Sequence, residues 1–184
     1  SQTMAVVYYN TRIFEENKIE IPTTYDEFLA ACETLKSAGV TPLALSGKDA
    51  WIPGELLQQV VNGVGGMDLY DQTGAGTKKW DNEKYVEGAE EFAKLVDKGY
   101  LPDGFLGMTQ DEGRALFADE KAAMYYMGSW DLAVLVDESA QVSKNIGVFA
   151  MPSKDPANAN VLVGSMDQHY AVSENSKNIE ASCA

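Results

Sequence analysis

Histidine is almost absent from this chain: His169 is the only one. That excludes a metal centre built on several histidines and any histidine-rich proton relay. A Ser-His-Asp triad would have to use His169, and no Gly-x-Ser-x-Gly elbow is present to offer the serine. Cysteine is nearly as scarce. Cys32 falls on the apolar face of a predicted helix and Cys183 lies near the end, so they form neither a disulfide framework nor a zinc motif. Basic residues run short as well: 14 Lys and Arg face 28 Asp and Glu, a net charge of −14. Nucleic acid and anionic membrane surfaces need basic partners, so the balance argues against both. No apolar run is long enough to span a bilayer. The opening "SQTMAVVYYN" lacks the basic segment of a signal peptide. Walker A, Gly-x-Gly-x-x-Gly and calcium-loop patterns are missing too, and "GVGGMD" and "GAG" read as turns. Neither a metal nor a cofactor is expected.

What is present is an ordinary folded composition over 184 residues, 45% apolar and 23% charged, enough for one core and a small subdomain. Both ends read as cut. The chain begins almost inside a strand pattern, and "NIEASCA" stops where a helix would begin. The lack of a targeting segment therefore carries no information about compartment.

Residues 3–9 form a solid apolar run and predict a strand; "NTRIFEEN" predicts a short helix with Ile13 and Phe14 facing in. Thr24 with Glu27 three residues later is a capping box. Behind it Tyr25, Phe28, Leu29, Cys32 and Leu35 keep helical spacing, and Gly39 closes the helix. "TPLALSG" reads as a buried strand. A helix follows with Leu56, Leu57, Val60, Val61 and Val64 inward. Residues 65–81 read as an exposed loop with room for a hairpin. Asn82 to Lys98 is the strongest helix, its predicted inner face Tyr85, Val86, Ala89, Phe92, Ala93 and Val96. Thr109 with Glu112 opens another helix, and "NIGVFAMP" and "VLVGSMDQHYAVS" add strands. Alternating helices and solid strands predict an α/β fold, a small mixed sheet covered by helices.

The stretch "AAMYYMGSWDLAVL", residues 122–135, poses the functional question. A buried strand runs to Met127, Gly128 permits a sharp turn, and Ser129 suits the N-cap of a short helix with Leu132, Ala133, Leu135 and Val136 on its inner face. Trp130 then stands at the carboxyl end of a strand, where open α/β sheets bind ligands. A core tryptophan is the alternative. Trp51, after "SGKDA", stands past another strand end. Asp49 and Lys48 flank Trp51; Ser129 and Asp131 flank Trp130. A sugar offers an apolar C–H face to a ring and a rim of hydroxyls to carboxylates or amides, so this set suits carbohydrate better than metal or phosphate. Glycoside hydrolysis would need two carboxylates. Those in "EGAEE" and "TQDEG" fall on predicted polar helix faces, which makes an enzyme the minority reading.

"VVYYNTRIFEENKIEIPTTYDEFLAACETLKSAGVTPLAL" resembles the opening of the second lobe of family 1 extracellular solute-binding proteins, the maltose-binding-protein-like receptors of ABC sugar importers. Tyr9, Asn10, Phe14, Pro22, Thr23, Thr24, Asp26, Glu27, Phe28, Gly39, Val40 and Pro42 carry the likeness. "FADEKAAMYYMGSWDLAVL", "IGVFAMP" and "GSMDQHYAVSENSKN" resemble later segments. The resemblance implies one lobe of a type II periplasmic-binding-protein fold, with a ligand in the cleft between two lobes. It makes residues 1–150 the second lobe and 151–184 the return across the hinge toward the first. By position it implies that Asp49, Trp51, Ser129 and Trp130 meet the sugar. It adds Ser165 and Asp167 in a cleft-side loop, where Met166 and Asp167 depart from the family's usual glycines. It further implies a bacterial, non-catalytic receptor for a mono- or oligosaccharide, with membrane permease subunits as partners. Such a receptor is lipid-anchored on the extracellular face or periplasmic. A non-sugar cargo in the same fold is the alternative, and an isolated lobe is expected to self-associate through its bared face.

Overall fold

The computed structural model describes residues 2–137, 139–159, 161–166, 172–179 and 181. Its spine is β1 (Gln2–Asn10), which lies between β3 (Ala122–Gly128) and β4 (Ile146–Phe149). β2 (Thr41–Ala44) closes one edge, giving the order β2-β3-β1-β4. β1 runs antiparallel to both neighbours, with Ala5 opposite Gly128 and Val7 opposite Phe149, whereas β2 is parallel to β3. The short β5 (Gly164–Met166) pairs with the first residues of β1, Thr3 opposite Ser165. β2, β3 and β4 therefore all release the chain at the end of the sheet where β1 begins.

The expected mixed α/β architecture is what the chain adopts. Every residue of β3 is buried, because helices cover both faces of the sheet. The helices are α1 (Thr11–Glu16), α2 (Tyr25–Ser37), α3 (Trp51–Gly65), α4 (Met67–Gly74), α5 (Glu83–Asp97), α6 (Gln110–Ala118) and the single turn α7 (Leu132–Leu135). Both predicted capping boxes form. Thr24 Oγ1 accepts from Glu27 N at 3.2 Å, and the Glu27 carboxylate accepts from Thr24 N at 3.1 Å. Thr109 and Glu112 repeat the arrangement at α6. Gly39 takes φ +77° just past α2, a conformation a side chain would resist. Cys32 is a free, buried thiol, and Cys183 lies outside the described residues. No helix among the described residues is long and apolar enough to cross a membrane.

Three expectations need correction. Residues 67–74 form α4 rather than loop or hairpin. Glycines stand at its two ends and hid it, while Leu69 and Thr73, four apart, bury one side. The inner face of α5 is Gly88, Glu91 and Leu95, and Val86 and Val96 face solvent. Gly88 explains the rotation. A Cβ there would sit 2.5 Å from Val61 Cγ2 and 2.8 Å from Val61 Cα, so the closest approach of α3 and α5 runs through the glycine. α7 buries only Leu135; Leu132, Val134 and Val136 are exposed.

Glu91 also breaks the expectation that the acids of "EGAEE" point to water. It is buried, and Lys94 (2.6 Å) and Lys154 both donate to its Oε1. Burial raises the carboxyl's pKa, but the two ammonium groups outweigh it and leave the net value below the ordinary one.

Two outcomes follow from the α3–α5 contact. Gly88→Ala forces a methyl into Val61 and is expected to lower unfolding stability by about 2 kcal/mol in urea titration. Glu91 binds its proton less readily folded than unfolded. Its contribution is complete above the ordinary carboxyl value of 4.5 and is lost as pH falls through the depressed one. Melting curves across that range should show Glu91→Gln falling less steeply with acid than the unaltered chain.

Candidate functional site

Two of the strand exits carry a tryptophan each. After β2 the chain turns at Leu45–Ala50 and enters α3 at Trp51. After β3 it makes a 3-10 turn, Ser129–Asp131, before α7. The two rings meet with centroids 6.0 Å apart and planes tilted by 50°. Trp51 is 45% and Trp130 40% exposed, so neither is a core tryptophan. Gly128 makes the second placement possible. A Cβ there would fall 2.1 Å from Cη2 and Cζ3 of Trp130, whose ring folds back over the strand end.

The turn is held from beneath by Asp131, which is buried rather than available to a ligand rim. Arg114 donates from Nε (2.8 Å) and Nη2 (3.0 Å), Tyr125 Oη donates at 2.9 Å, and Gln110 Nε2 at 3.1 Å. The carboxylate in turn holds the Arg114 guanidinium above its ordinary pKa. Tyr8 beneath donates to Gly128 O at 3.1 Å, and burial, with Asp131 nearby, pushes its hydroxyl up to about 12. Ser129 does not cap a helix. Its Oγ lies 3.4 Å from Met4 N and ties the turn to the start of β1.

Beside Trp130 lies a cleft of about 390 Å³, walled by α3, α4, the start of β1 and residues 163–164. The rings of Trp130 and Tyr70 supply its aromatic surface. Glu55, Gln58 and Asn62, spaced i, i+3 and i+7 on α3, line one wall, and Asp71 of α4 adds a carboxylate. Glu55 makes no ion pair among the described residues, and burial raises its carboxyl's pKa. A larger hollow, about 540 Å³, lies between the start of α2 and residues 149–159, away from both tryptophans.

Of the expected site residues, the structure brings Trp51 and Trp130 together and puts Trp130 on the cleft wall. Asp49 is exposed on the approach to α3, where its carbonyl accepts from Ile52 N at 3.1 Å. Ser165 pairs through its backbone with Thr3, a cleft residue. Asp167 and His169 lie outside the described residues. No metal-binding cluster occurs among the described residues. The reading of the sequence missed Glu55, Gln58, Asn62, Tyr70 and Asp71. The polar stripe on an otherwise apolar helix was the available signal for three of them.

A family model described as "Bacterial extracellular solute-binding protein" matches residues 2–184. The "Multiple sugar-binding protein" of Streptococcus mutans is 27% identical over 187 residues, covering 95% of this chain and 42% of that protein. Among solved structures, a "Chitin oligosaccharide binding protein" superposes with a TM-score of 0.86 at 32% identity, over 90% of this chain and 42% of that one. A structure from work on xylan utilization by Caldanaerobius polysaccharolyticus gives 0.88 at 31%, over 99% and 47%. The chain thus spans less than half the length of these relatives.

Removing the anchor beneath Trp130 should be costly. Asp131→Ala leaves the Arg114 guanidinium with only its exposed partner Asp111 and is expected to lower stability by about 3 kcal/mol. Tryptophan emission, read below the unfolding midpoint, should shift to the red as the turn loosens.

Proposed function

The chain belongs to the bacterial extracellular solute-binding protein family, and from that premise we propose that it forms the second lobe of a carbohydrate receptor. Residues 1–150 make the lobe body and residues 151–184 the return across the hinge. The receptor serves an ABC importer from the extracellular face of the membrane, lipid-anchored, or from the periplasm. Its partners are the membrane permease subunits.

The observation that carries the reading is the Trp51–Trp130 pair at two strand exits, beside a cleft lined by the polar side chains of Glu55, Gln58, Asn62 and Asp71. The rings take the C–H face of a pyranose, and Glu55, Gln58 and Asp71 take its hydroxyls. Asp49, Ser129, Ser165 and Asp167, which the family resemblance implies as sugar contacts, are assigned to the same site as part of this proposal. The names of the relatives, a multiple sugar-binding protein and a chitin oligosaccharide receptor, support an oligosaccharide over a metal or an amino acid. Binding rather than turnover is the task, since the relatives are solute-binding proteins.

One lobe offers one wall. A two-walled interaction of roughly −8 kcal/mol, micromolar, would leave near-millimolar affinity if half were lost. The uncovered tryptophan face also favours pairing with a second copy.

Calorimetry with chitotriose, xylotriose, raffinose and maltotriose, on this chain and on the two-lobed protein, tests the reading. We expect micromolar affinity for at least one sugar in the two-lobed protein, near-millimolar affinity in this chain, and a loss of about tenfold or more with Trp130→Ala. Equal affinities would place the whole site within these residues. A response to none of the sugars, with a response to amino acids or metals, would reject the carbohydrate reading.

A further inference from the structure

Asn62 is 0% exposed, yet its Oδ1 has no hydrogen-bond partner among the described residues. Its Nδ2 meets only the thioether of Met67, at 3.2 Å, a weak acceptor. Exchanging the amide oxygen and nitrogen does not help, because the NH2 group would then lack the partner. Buried amides are ordinarily satisfied, so an orphan calls for an explanation. The other unpartnered buried groups among the described residues are the hydroxyls of Tyr25, Ser46 and Tyr85. Asn62 differs from them in lining the Trp130 cleft.

Its cover is slight. Met67 opens α4 directly after Gly66, whose φ of +80° ends α3, and it is itself partly exposed. An unbranched thioether on the first turn of a short helix moves aside readily. Asn62 also stands four residues beyond Gln58 and seven beyond Glu55, on the stripe of α3 that faces the cleft.

We propose that Asn62 is a specificity-determining residue of the sugar site, closed by Met67 until a ligand arrives. A pyranose entering beside Trp130 displaces the thioether. One hydroxyl of a vicinal diol then donates to Oδ1, and its neighbour accepts from Nδ2. The free protein carries the unsatisfied amide, and the bound sugar satisfies it. This rests on the carbohydrate reading above and adds the group on the protein that reads the diol.

The test uses the two-lobed protein, its thermal midpoint, and calorimetry with the tightest-binding of the four sugars named above. Asn62→Leu keeps the side chain's approximate volume and removes the amide. We expect affinity to fall about tenfold or more, with a thermal midpoint of the free protein unchanged or raised, because the orphan is gone. Met67→Ala, which removes the cover, should leave affinity unchanged or raise it. Unaltered affinity in Asn62→Leu overturns the proposal. So does a marked drop in its midpoint, which would show the amide already satisfied in the free protein. A tenfold loss in Met67→Ala would make Met67 a contact rather than a cover and overturn the displacement. If the unaltered protein binds none of the four sugars, the carbohydrate reading itself has failed, a result separable from failure at Asn62 alone.

Discussion

The buried carboxylate of Asp131 is the constraint on which the arrangement of the site depends. A charge withdrawn from water is tolerated only where donors surround it. Here Arg114 supplies a two-pronged contact, and Tyr125 and Gln110 supply the rest. The donors come from two elements. Tyr125 belongs to the central strand β3, and Arg114 and Gln110 to α6. The residue after Trp130 is thereby locked to the core and to a flanking helix at once. Replacing the whole cluster by apolar residues could hold as much stability. It would not define so exclusively where the turn sits, and the direction of the Trp130 ring follows from the turn.

Topology then gathers the remaining parts. β1 is long enough to pair with β5 by its first residues and with β3 and β4 by its later ones. Three chain exits therefore share one end of the sheet. α3 starts at one of them and lends its flank to the cleft. Adjacent residues of α3 divide the work: Gln58 lines the cleft, while Gln59 donates to Val161 O at 2.7 Å and accepts from Val163 N at 2.9 Å. Through Gln59 the helix holds the segment that runs into β5. The cleft wall and the crossing strand are thus fixed by one helix, so a shift of the segment against α3 would reshape the cleft.

How much of this was legible follows from which forces act locally. The capping boxes at Thr24 and Thr109 were, because each is satisfied within one helical turn. The solid strands were, because a sheet covered on both faces shows no alternation. The two tryptophans were, because each follows a strand directly. The inner face of α5 was not. Counting apolar residues favoured Val86 and Val96, whereas the packing is set by the absence of a side chain at Gly88 and by the fit of Val61 against it. Glu91 was misread for a similar reason: its burial depends on Lys154, sixty-three residues away. The cleft's polar wall was half legible. The spacing of Glu55, Gln58 and Asn62 was on view, but the attention periodicity draws to apolar positions passes over the polar residues between them. Tyr70 and Asp71 were lost with α4, once residues 65–81 had been read as loop.

The energetic character of the cleft differs from that of the core beneath it. In the core, the buried carboxylates and amides are matched, Asp131 by its donors and Asn10 by Ile13 N and Glu120, although the hydroxyls of Tyr25 and Ser46 are not. At the cleft, the matching stops. Two large rings stand half in solvent, and among the described residues Glu55 is partly desolvated without an ion pair and Asn62 keeps an amide oxygen with no donor. Each of these makes the free chain less stable than an apolar or fully solvated alternative would. Folding alone gives no reason for all of them to gather on one surface, because scattered defects would be no worse for stability. On the carbohydrate reading proposed above, one ligand with an apolar face and a hydroxyl rim would relieve them together, the face covering the rings and the hydroxyls meeting the carboxylate and the amide. What the free lobe lacks in stability at this surface is then returned as the affinity of the occupied one.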